Sequence, residues 1–316
     1  MAKKVILAAP RGYCAGVDRA VQIVERALET LGAPVYVRKE IVHNRHVVTE
    51  LQKRGAIFVD SESEVPEGAV CVFSAHGVSP DVRRNAEARN LHVIDATCPL
   101  VTKVHLEAKR FARGGRKIVL VGHVGHEEIE GTAGEAPEST VVIEDVSQID
   151  ELDVAPDEPV AYLTQTTLSV DDTLEVVDAL RERFSDLQGP RKDDICYATQ
   201  NRQVAVKAIA PRSDVVLIVG ALNSSNSNRM VEVARAAGTP AYLVPDETAL
   251  DESWLRDAET VGVSSGASAP EVLVDRLLDR LAGLGYTDIE THEVTTEDVT
   301  FSLPPWLREE EGAVRD

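Results

Sequence analysis

Three cysteines of this chain occupy the same local setting, and this repetition restricts the folds that the chain can adopt. Cys14, Cys98 and Cys196 each follow a turn, and each precedes a stretch with helical periodicity. A thiol at a strand-to-helix turn lies beside backbone N–H groups and the positive end of the helix dipole, which favours the thiolate. Three such turns predict three similar units that direct their cysteines toward one shared centre.

Short β-rich runs alternate with helical patterns along the chain. Runs such as VILAA, KIVLVGH and DVVLIVG are apolar at both odd and even positions, as in strands that are covered on both faces. This alternation predicts an α/β fold of three small parallel-sheet domains in a pseudo-threefold arrangement around the shared centre. The helices predicted between the strands include 17–31, 99–112, 169–183, 199–210, 226–237 and 269–282.

Cys98 and Cys196 mark the beginnings of the second and third domains. We place the first domain at 15–97, the second at 98–193 and the third at 194–285. The strand within 1–14 is expected to join the sheet of the third domain.

The last part of the chain differs in composition. Residues 286–316 are rich in Asp and Glu, and we assign them to an acidic C-terminal tail. Within this tail, the segment VTFSLPPWL is expected to pack over the body of the protein, and EEEGAVRD is expected to be disordered.

The charge and the cysteine content exclude several classes of protein. A net charge of −20 argues against nucleic acid as a partner, because phosphate backbones are bound by clustered Lys and Arg. No run approaches the roughly 18 apolar residues of a membrane span, and the N-terminal apolar stretch is too short for a signal peptide. Four cysteines in 316 residues do not make a disulfide scaffold. We therefore expect a cytoplasmic protein whose thiols stay reduced and can bind metal.

Polar side chains are concentrated directly after the predicted strands. Ligands of open α/β sheets bind beyond the carboxyl ends of the strands, and polar groups near helix N-termini can donate hydrogen bonds to phosphate. Each such residue alone is more often a helix cap, a turn residue or a structural histidine. Their recurrence predicts a phosphate or diphosphate site without a Walker lysine. The candidates are His43, His76, His126, Thr166, Ser224, Ser225, Asn226 and Ser268.

The cysteines divide into one expected core residue and three candidate ligands. Cys71 lies within an apolar strand and is expected to be a buried thiol. Cys14, Cys98 and Cys196 have no obvious fourth partner, which suits an iron–sulfur cluster with one iron not held by the protein. A zinc site with an open position is the competing interpretation.

Two residues are candidates for proton transfer. Glu128 lies in GHEEIEG, where glycines allow a ligand to approach the backbone, and it is the acid–base candidate. Its neighbours Glu127 and Glu130 are expected to be solvated. Thr166 ends a predicted strand and is a candidate proton relay.

Three other functions are compatible with parts of this pattern. A cysteine-dependent hydrolase or transferase would pair Cys98 with His126 but would leave the other two cysteines unexplained. A zinc hydrolase would use the same thiols. A non-catalytic iron–sulfur sensor or scaffold would have no use for a diphosphate site.

Nine motifs occur in order along the chain. They are PRGYCAGVDRAV, EIVHNRHVV, FSAHGVSP, DATCPLVTKVH, GHVGHEEIEGT, LTQTTLSVDDT, DDICYATQNRQ, NSSNSNR and GASAP. Together they identify the chain as similar to a known family, the 4-hydroxy-3-methylbut-2-enyl diphosphate reductases of the methylerythritol phosphate route to isoprenoids. The resemblance covers roughly residues 5–285 and does not include the acidic tail.

This resemblance implies an oxygen-sensitive 4Fe–4S cluster, one per chain, which can become a 3Fe–4S form after exposure to air. It implies that Cys14, Cys98 and Cys196 bind the cluster and that the fourth iron takes the allylic hydroxyl of the substrate. The positions that correspond to the family's diphosphate-binding residues are His43, His76, His126, Ser224, Ser225, Asn226 and Ser268. Glu128 corresponds to the proton donor, with Thr166 beside the substrate hydroxyl. The implied products are isopentenyl and dimethylallyl diphosphate, and the implied electron donor is reduced ferredoxin or flavodoxin.

The segment 109–117, KRFARGGRK, is the densest basic cluster of this acidic chain. One interpretation is a helix C-terminus whose cations suit the helix dipole, ended by two glycines. The other is a docking surface for an acidic electron donor.

Overall fold

The computed structural model of this protein describes residues 3–307, and it contains three separate parallel sheets. Two sheets have four strands and one has five, and every strand pair within them is parallel. Helices connect the strands in each unit. The predicted α/β fold of three small parallel-sheet units is therefore confirmed.

The first unit follows an N-terminal strand that belongs to another sheet. The sheet of the first unit has the strand order β3-β2-β4-β5. Valines and isoleucines of these strands pack against the first helix in a closed apolar core. The elements are β1 (Lys3–Ala9), then α1 (Ala15–Leu31), β2 (Val35–Arg38), α2 (Arg45–Lys53), β3 (Ala56–Val59), β4 (Val70–Phe73), α3 (Pro80–Ala88) and β5 (His92–Asp95).

The second unit has the same plan. Its sheet has the order β7-β6-β8-β9, and its strands are packed between two apolar clusters. The elements are α4 (Pro99–Arg113), β6 (Lys117–Val121), α5 (Glu127–Ala133), β7 (Thr140–Ile143), β8 (Val160–Thr164), α6 (Val170–Arg183) and β9 (Leu187–Gln188).

The sheet of the third unit includes a strand from the N-terminal part of the chain and a strand from its C-terminal part. Its sheet has the order β11-β10-β12-β1-β13, so the N-terminal strand lies between β12 and the last strand. The elements are α7 (Tyr197–Ile209), β10 (Val215–Val219), α8 (Ser225–Ala236), β11 (Ala241–Val244), β12 (Thr260–Ser265), α9 (Glu271–Gly283) and β13 (Tyr286–Glu293).

The assignment of 286–316 to a tail is wrong in its first part. Residues 286–293 form β13, which pairs in parallel with β1 over its whole length. Only Tyr286 of this strand is buried. Because nearly all of its other residues are polar, the run lacks the apolar pattern of a central strand. An edge strand exposed on both faces has no such signature. The segment EEEGAVRD lies outside the described residues.

Sheet membership supports domains at 15–97, 98–193 and 194–285 with 1–14, which we keep as a proposal. Residues 286–293 belong with the third of these. The VTFSLPPWL segment packs over the first unit, where Leu303 and Leu307 join its apolar core.

Candidate active site

The three candidate cysteines begin three corresponding helices and line one cavity. Cys14, Cys98 and Cys196 are the N-cap residues of α1, α4 and α7, one helix for each unit. The backbone N–H of each cysteine donates a hydrogen bond to a carbonyl oxygen in a loop that follows a strand. These bonds fix the position of each cysteine relative to that loop. These bonds run from Cys14 to Ala267 (3.2 Å), from Cys98 to Ala75 (3.0 Å) and from Cys196 to Thr166 (3.0 Å).

Gly16 shows how closely two of the thiols approach one another. A Cβ atom at this glycine would lie 2.6 Å from Sγ of Cys98 and 3.8 Å from Sγ of Cys14. No side chain fits there without displacing Cys98. The first turn of α1 therefore needs glycine to let two thiols converge.

Burial, rather than the helix dipole, controls the protonation of the Cys98 and Cys196 thiols. It raises the pKa of Cys98 to about 12 and that of Cys196 to about 11, and the nearby Cys14 adds to both shifts. The expectation that the helix N-terminus favours thiolate is wrong for these two residues in the absence of metal. Binding of iron must therefore release their protons.

The three cysteines offer a donor set that an iron–sulfur cluster could use. Three thiols from three helices line one cavity, and a cluster with three protein ligands takes one thiolate at each of three irons. Among residues 3–307, no group of three or more His, Cys, Asp or Glu side chains is arranged to hold a single metal ion.

Three histidines from two units form a compact cluster in the same cavity. The rings of His43 and His76 are stacked with centroids 4.1 Å apart. The ring of His126 stands edge-on to both, at 5.4 Å from His43 and 5.7 Å from His76. His43 and His76 follow β2 and β4, whereas His126 caps α5 in the second unit.

Carboxylate groups lie within hydrogen-bond distance of Nδ1 in two of these rings. Nδ1 of His43 lies 3.1 Å from Glu40, and Nδ1 of His76 lies 3.2 Å from Glu127. The other ring nitrogen, Nε2, is thereby left for a ligand in each case. Glu127 is bound to His76 and is only partly exposed, so the expectation that it is a solvated carboxylate is wrong; Glu130 is exposed, as expected.

His126 is fixed in one tautomer by its own helix. Its Nδ1 accepts a hydrogen bond of 3.1 Å from the backbone N–H of Glu128. A nitrogen that accepts carries no proton, so the proton of the neutral ring is on Nε2. His126 can therefore donate a hydrogen bond to an anion without being charged.

Burial disfavours a positive charge on two of the three histidines. Burial lowers the pKa of His126 to about 3, and the rings of His76 and His43 lower it further. Burial also lowers the pKa of His76, with His43 as the second cause. Burial and the close packing of the three rings thus disfavour a positive charge on His76 and His126 when no anion is bound.

Glu128 and Thr166 form a buried pair beside the thiols. The backbone N–H of Thr166 donates to Oε1 of Glu128 (2.6 Å), and its hydroxyl donates to Oε2 (2.9 Å). Glu128 is 3% exposed and Thr166 is 4% exposed. Burial raises the pKa of Glu128 to about 7, against the opposing effect of the bonds from Thr166.

The third unit supplies hydroxyl and amide groups at the start of α8. Ser224 caps this helix, Ser225 accepts a 3.0 Å hydrogen bond from Thr167, and Asn226 accepts one of 2.9 Å from the N–H of Ala267. Ser268, after β12, donates to the carbonyl of His43 (3.0 Å) and so joins the third unit to the first.

All the predicted site residues line this one cavity, together with several that the sequence analysis missed. Thr167, Tyr197, Thr199 and Phe301 also contribute to its wall. Thr199 lies in the first turn of α7, where its N–H donates to Sγ of Cys196 over 3.4 Å. Its position three residues after a cysteine cap was the available signal. Phe301 had none, because it comes from the C-terminal segment.

The fold and this cavity define a three-unit α/β protein with a thiol- and histidine-lined site at its centre. The family model described as LytB protein matches residues 5–282. The chain belongs to the LytB family.

Relatives of known name cover nearly the whole chain. A protein of Nocardia farcinica is 61% identical over 97% of this chain and 92% of its own length, and one of Corynebacterium diphtheriae is 62% identical over the same shares. Both are named 4-hydroxy-3-methylbut-2-enyl diphosphate reductase. The solved structure of the E-1-hydroxy-2-methyl-but-2-enyl-4-diphosphate reductase from Plasmodium falciparum is 36% identical, covers 97% of both chains and superposes with a TM-score of 0.94.

Among residues 3–307, no helix has the length and apolar character needed to cross a membrane.

Proposed function

We propose that this protein reductively removes the hydroxyl group of 4-hydroxy-3-methylbut-2-enyl diphosphate by means of a 4Fe–4S cluster bound to Cys14, Cys98 and Cys196. The observation that carries the proposal is the composition of one cavity. Three thiols, a buried carboxyl group and an array of phosphate-binding groups line it together. The names of the relatives support the same substrate and reaction.

The reaction consumes two electrons and two protons and releases water, giving isopentenyl and dimethylallyl diphosphate. When bound, the cluster supplies the electrons and a Lewis-acidic iron at the substrate hydroxyl. Protein groups must then supply protons, orient the substrate and exclude solvent. The implied 3Fe–4S form after exposure to air belongs to the same proposal.

Glu128, acting through Thr166, is proposed to deliver the proton that converts the leaving hydroxyl into water. A protonated Glu128 can donate to Oγ of Thr166, whose own proton then points to the substrate. The 2.9 Å contact between the two side chains provides this path. A carboxyl group with a pKa of about 7 is well suited to donate a proton at neutral pH.

The diphosphate is proposed to lie among the histidines and the start of α8. Nε2 of neutral His126 can donate to a phosphate oxygen, and the serines and amide of the α8 N-terminus add uncharged donors. A bound polyanion would also favour protonation of His76, whose pKa is lowered by burial. An acidic protein can thus bind an anion without a permanent cationic site.

The purified protein offers a direct test of this proposal. Protein prepared without oxygen should be brown, with visible absorbance that changes on titration with the diphosphate substrate. A colourless, active protein would favour the cysteine or zinc hydrolase alternatives. A brown protein whose visible spectrum does not change when substrate is added would favour the non-catalytic iron–sulfur sensor or scaffold.

The histidines lead to a prediction about substrate affinity. His43→Ala, His76→Ala and His126→Ala should each raise KM more than they lower kcat, because each loses a donor to the diphosphate. A lost hydrogen bond to a charged group costs about 1.5–3 kcal/mol, roughly 10- to 100-fold in KM. Steady-state kinetics with a chemical reductant measure both constants, with His46→Ala, on a neighbouring helix, as the control. A fall in kcat with unchanged KM would instead assign these rings to proton transfer.

The electron donor is proposed to be reduced ferredoxin or flavodoxin, but the basic segment 109–117 is poorly placed to receive it. It lies at the end of α4 opposite Cys98, about 20 Å away at 1.5 Å per residue. Lys109 binds the buried Glu135 and Arg116 binds Asp186. These ion pairs favour the interpretation of the basic segment as a helix C-terminus over that of a docking surface.

A cytoplasmic location is also a proposal, based on the need of the ligand thiols for a reducing compartment.

A further inference from the structure

The C-terminal segment 294–307 passes from the third unit to the first and contributes Phe301 to the cavity that the three thiols line. We propose that this segment is a working part of the site, in which Glu297 fixes the Cys14 loop through Arg202 and Phe301 forms a wall that shields the thiols. The inference deepens the proposed function and rests on it for the identity of the shielded group.

Arg202 connects two of the three cysteine-bearing elements. It lies on α7, the helix that Cys196 caps, and its side chain is fully buried. Nε and Nη2 both donate to the carbonyl of Gly12, at 3.2 Å and 2.6 Å, two residues before Cys14. Any shift of Arg202 would therefore be transmitted to the loop that carries Cys14.

Glu297 supplies the counter-charge that keeps this arginine in place. Its carboxylate lies 3.0 Å from Nη1 of Arg202 and accepts a further 3.0 Å bond from Asn201. A buried guanidinium without a partner is strongly unfavourable. Glu297 thus acts on Cys14 through Arg202 and is a positioning residue.

Phe301 follows on the same segment and lines the same cavity as the three thiols. The segment is anchored on both sides of it. Before it, the N–H of Val294 donates to Ala9 (3.0 Å); after it, Arg19 donates to the carbonyl of Ser302 (3.0 Å) and Leu307 is buried in the core of the first unit. An aromatic ring between two anchors is held in position at low entropic cost.

Two variants and one control separate shielding from general stability. Phe301→Ala removes the wall and leaves the ion pair intact, and Glu297→Gln removes the counter-charge and leaves the wall. Trp306→Ala, on the same segment but 51% exposed and outside the cavity, is the matched control. The first readout is the rate at which the visible absorbance of the holoprotein is lost in air. The second is maleimide labelling of each cysteine in the as-isolated chain, resolved by mass spectrometry.

Both variants should lose absorbance and label Cys14 about tenfold faster than wild type, as expected for easier local opening. Cys71, which is fully buried in a separate core, should stay unlabelled. Unchanged labelling of Cys14 in Phe301→Ala, or equal acceleration at Cys71, would overturn the inference. Wild-type protein that holds no iron would contradict the proposed function, whereas the labelling pattern would still test the segment.

Discussion

Replacement of any one of Cys14, Cys98 and Cys196 by serine should abolish stable iron binding and reductase activity. A hydroxyl is a poor substitute for thiolate at iron, and the three cysteines cap three different helices, so no neighbouring thiol can take over. The iron and sulfide content of anaerobically purified variants, together with turnover driven by a chemical reductant, measures the effect.

Cys71→Ser is the matched control for these variants. Cys71 is fully buried on β4, and its burial raises its pKa to about 12. The serine variant should keep its iron and activity and lose only about 1–3 kcal/mol of stability, the cost of burying a hydroxyl without a partner. Iron loss in Cys71→Ser, with iron retained in one of the other three, would show that the ligand assignment is wrong.

Glu128→Gln should keep the cluster and bind the substrate but lose about 10²- to 10⁴-fold in kcat, the usual contribution of a general acid. Glutamine preserves the shape and can still accept from the N–H of Thr166, whereas it cannot supply a proton. Single-turnover measurements with pre-reduced enzyme isolate this step from reduction. Glu130→Gln, an exposed residue of the same helix, is the control. Full activity in Glu128→Gln would move the proton donor elsewhere.

The pH dependence follows from the same carboxyl group. Burial raises the pKa of Glu128 to about 7, so the protonated form decreases as the pH rises through that value. Turnover that requires the protonated form should therefore fall about tenfold per unit at higher pH. The residual activity of Glu128→Gln should lack this dependence, which a purely structural role for Glu128 would not produce.

Much of the fold could be predicted because the buried strands are continuous apolar runs. The run that forms β10 is buried at every position and leaves little choice of structure. The helix α5 has no clear sequence signal because GHEEIEG is short and rich in glycine and charge, and β13 was missed because an exposed edge strand needs no apolar pattern.

The candidate site residues could be named from their places after strands or before helices and from the resemblance to a family, and they line one cavity. The electrostatics of that cavity could not be predicted. The pKa of His126 is lowered by burial first and then by two rings from another unit, and the ion pair of Arg202 depends on Glu297 in the C-terminal segment. Such contacts join residues that are far apart in sequence and have no local signature.

The central claim is that one cavity binds a cluster and reduces an allylic diphosphate. The most direct measurement is product analysis after anaerobic incubation of the iron-loaded protein with 4-hydroxy-3-methylbut-2-enyl diphosphate and reduced viologen. The account predicts isopentenyl and dimethylallyl diphosphate, with two electrons consumed for each substrate molecule and the diphosphate retained in both products. Release of phosphate or diphosphate, or an unchanged substrate in the presence of an intact cluster, would contradict it.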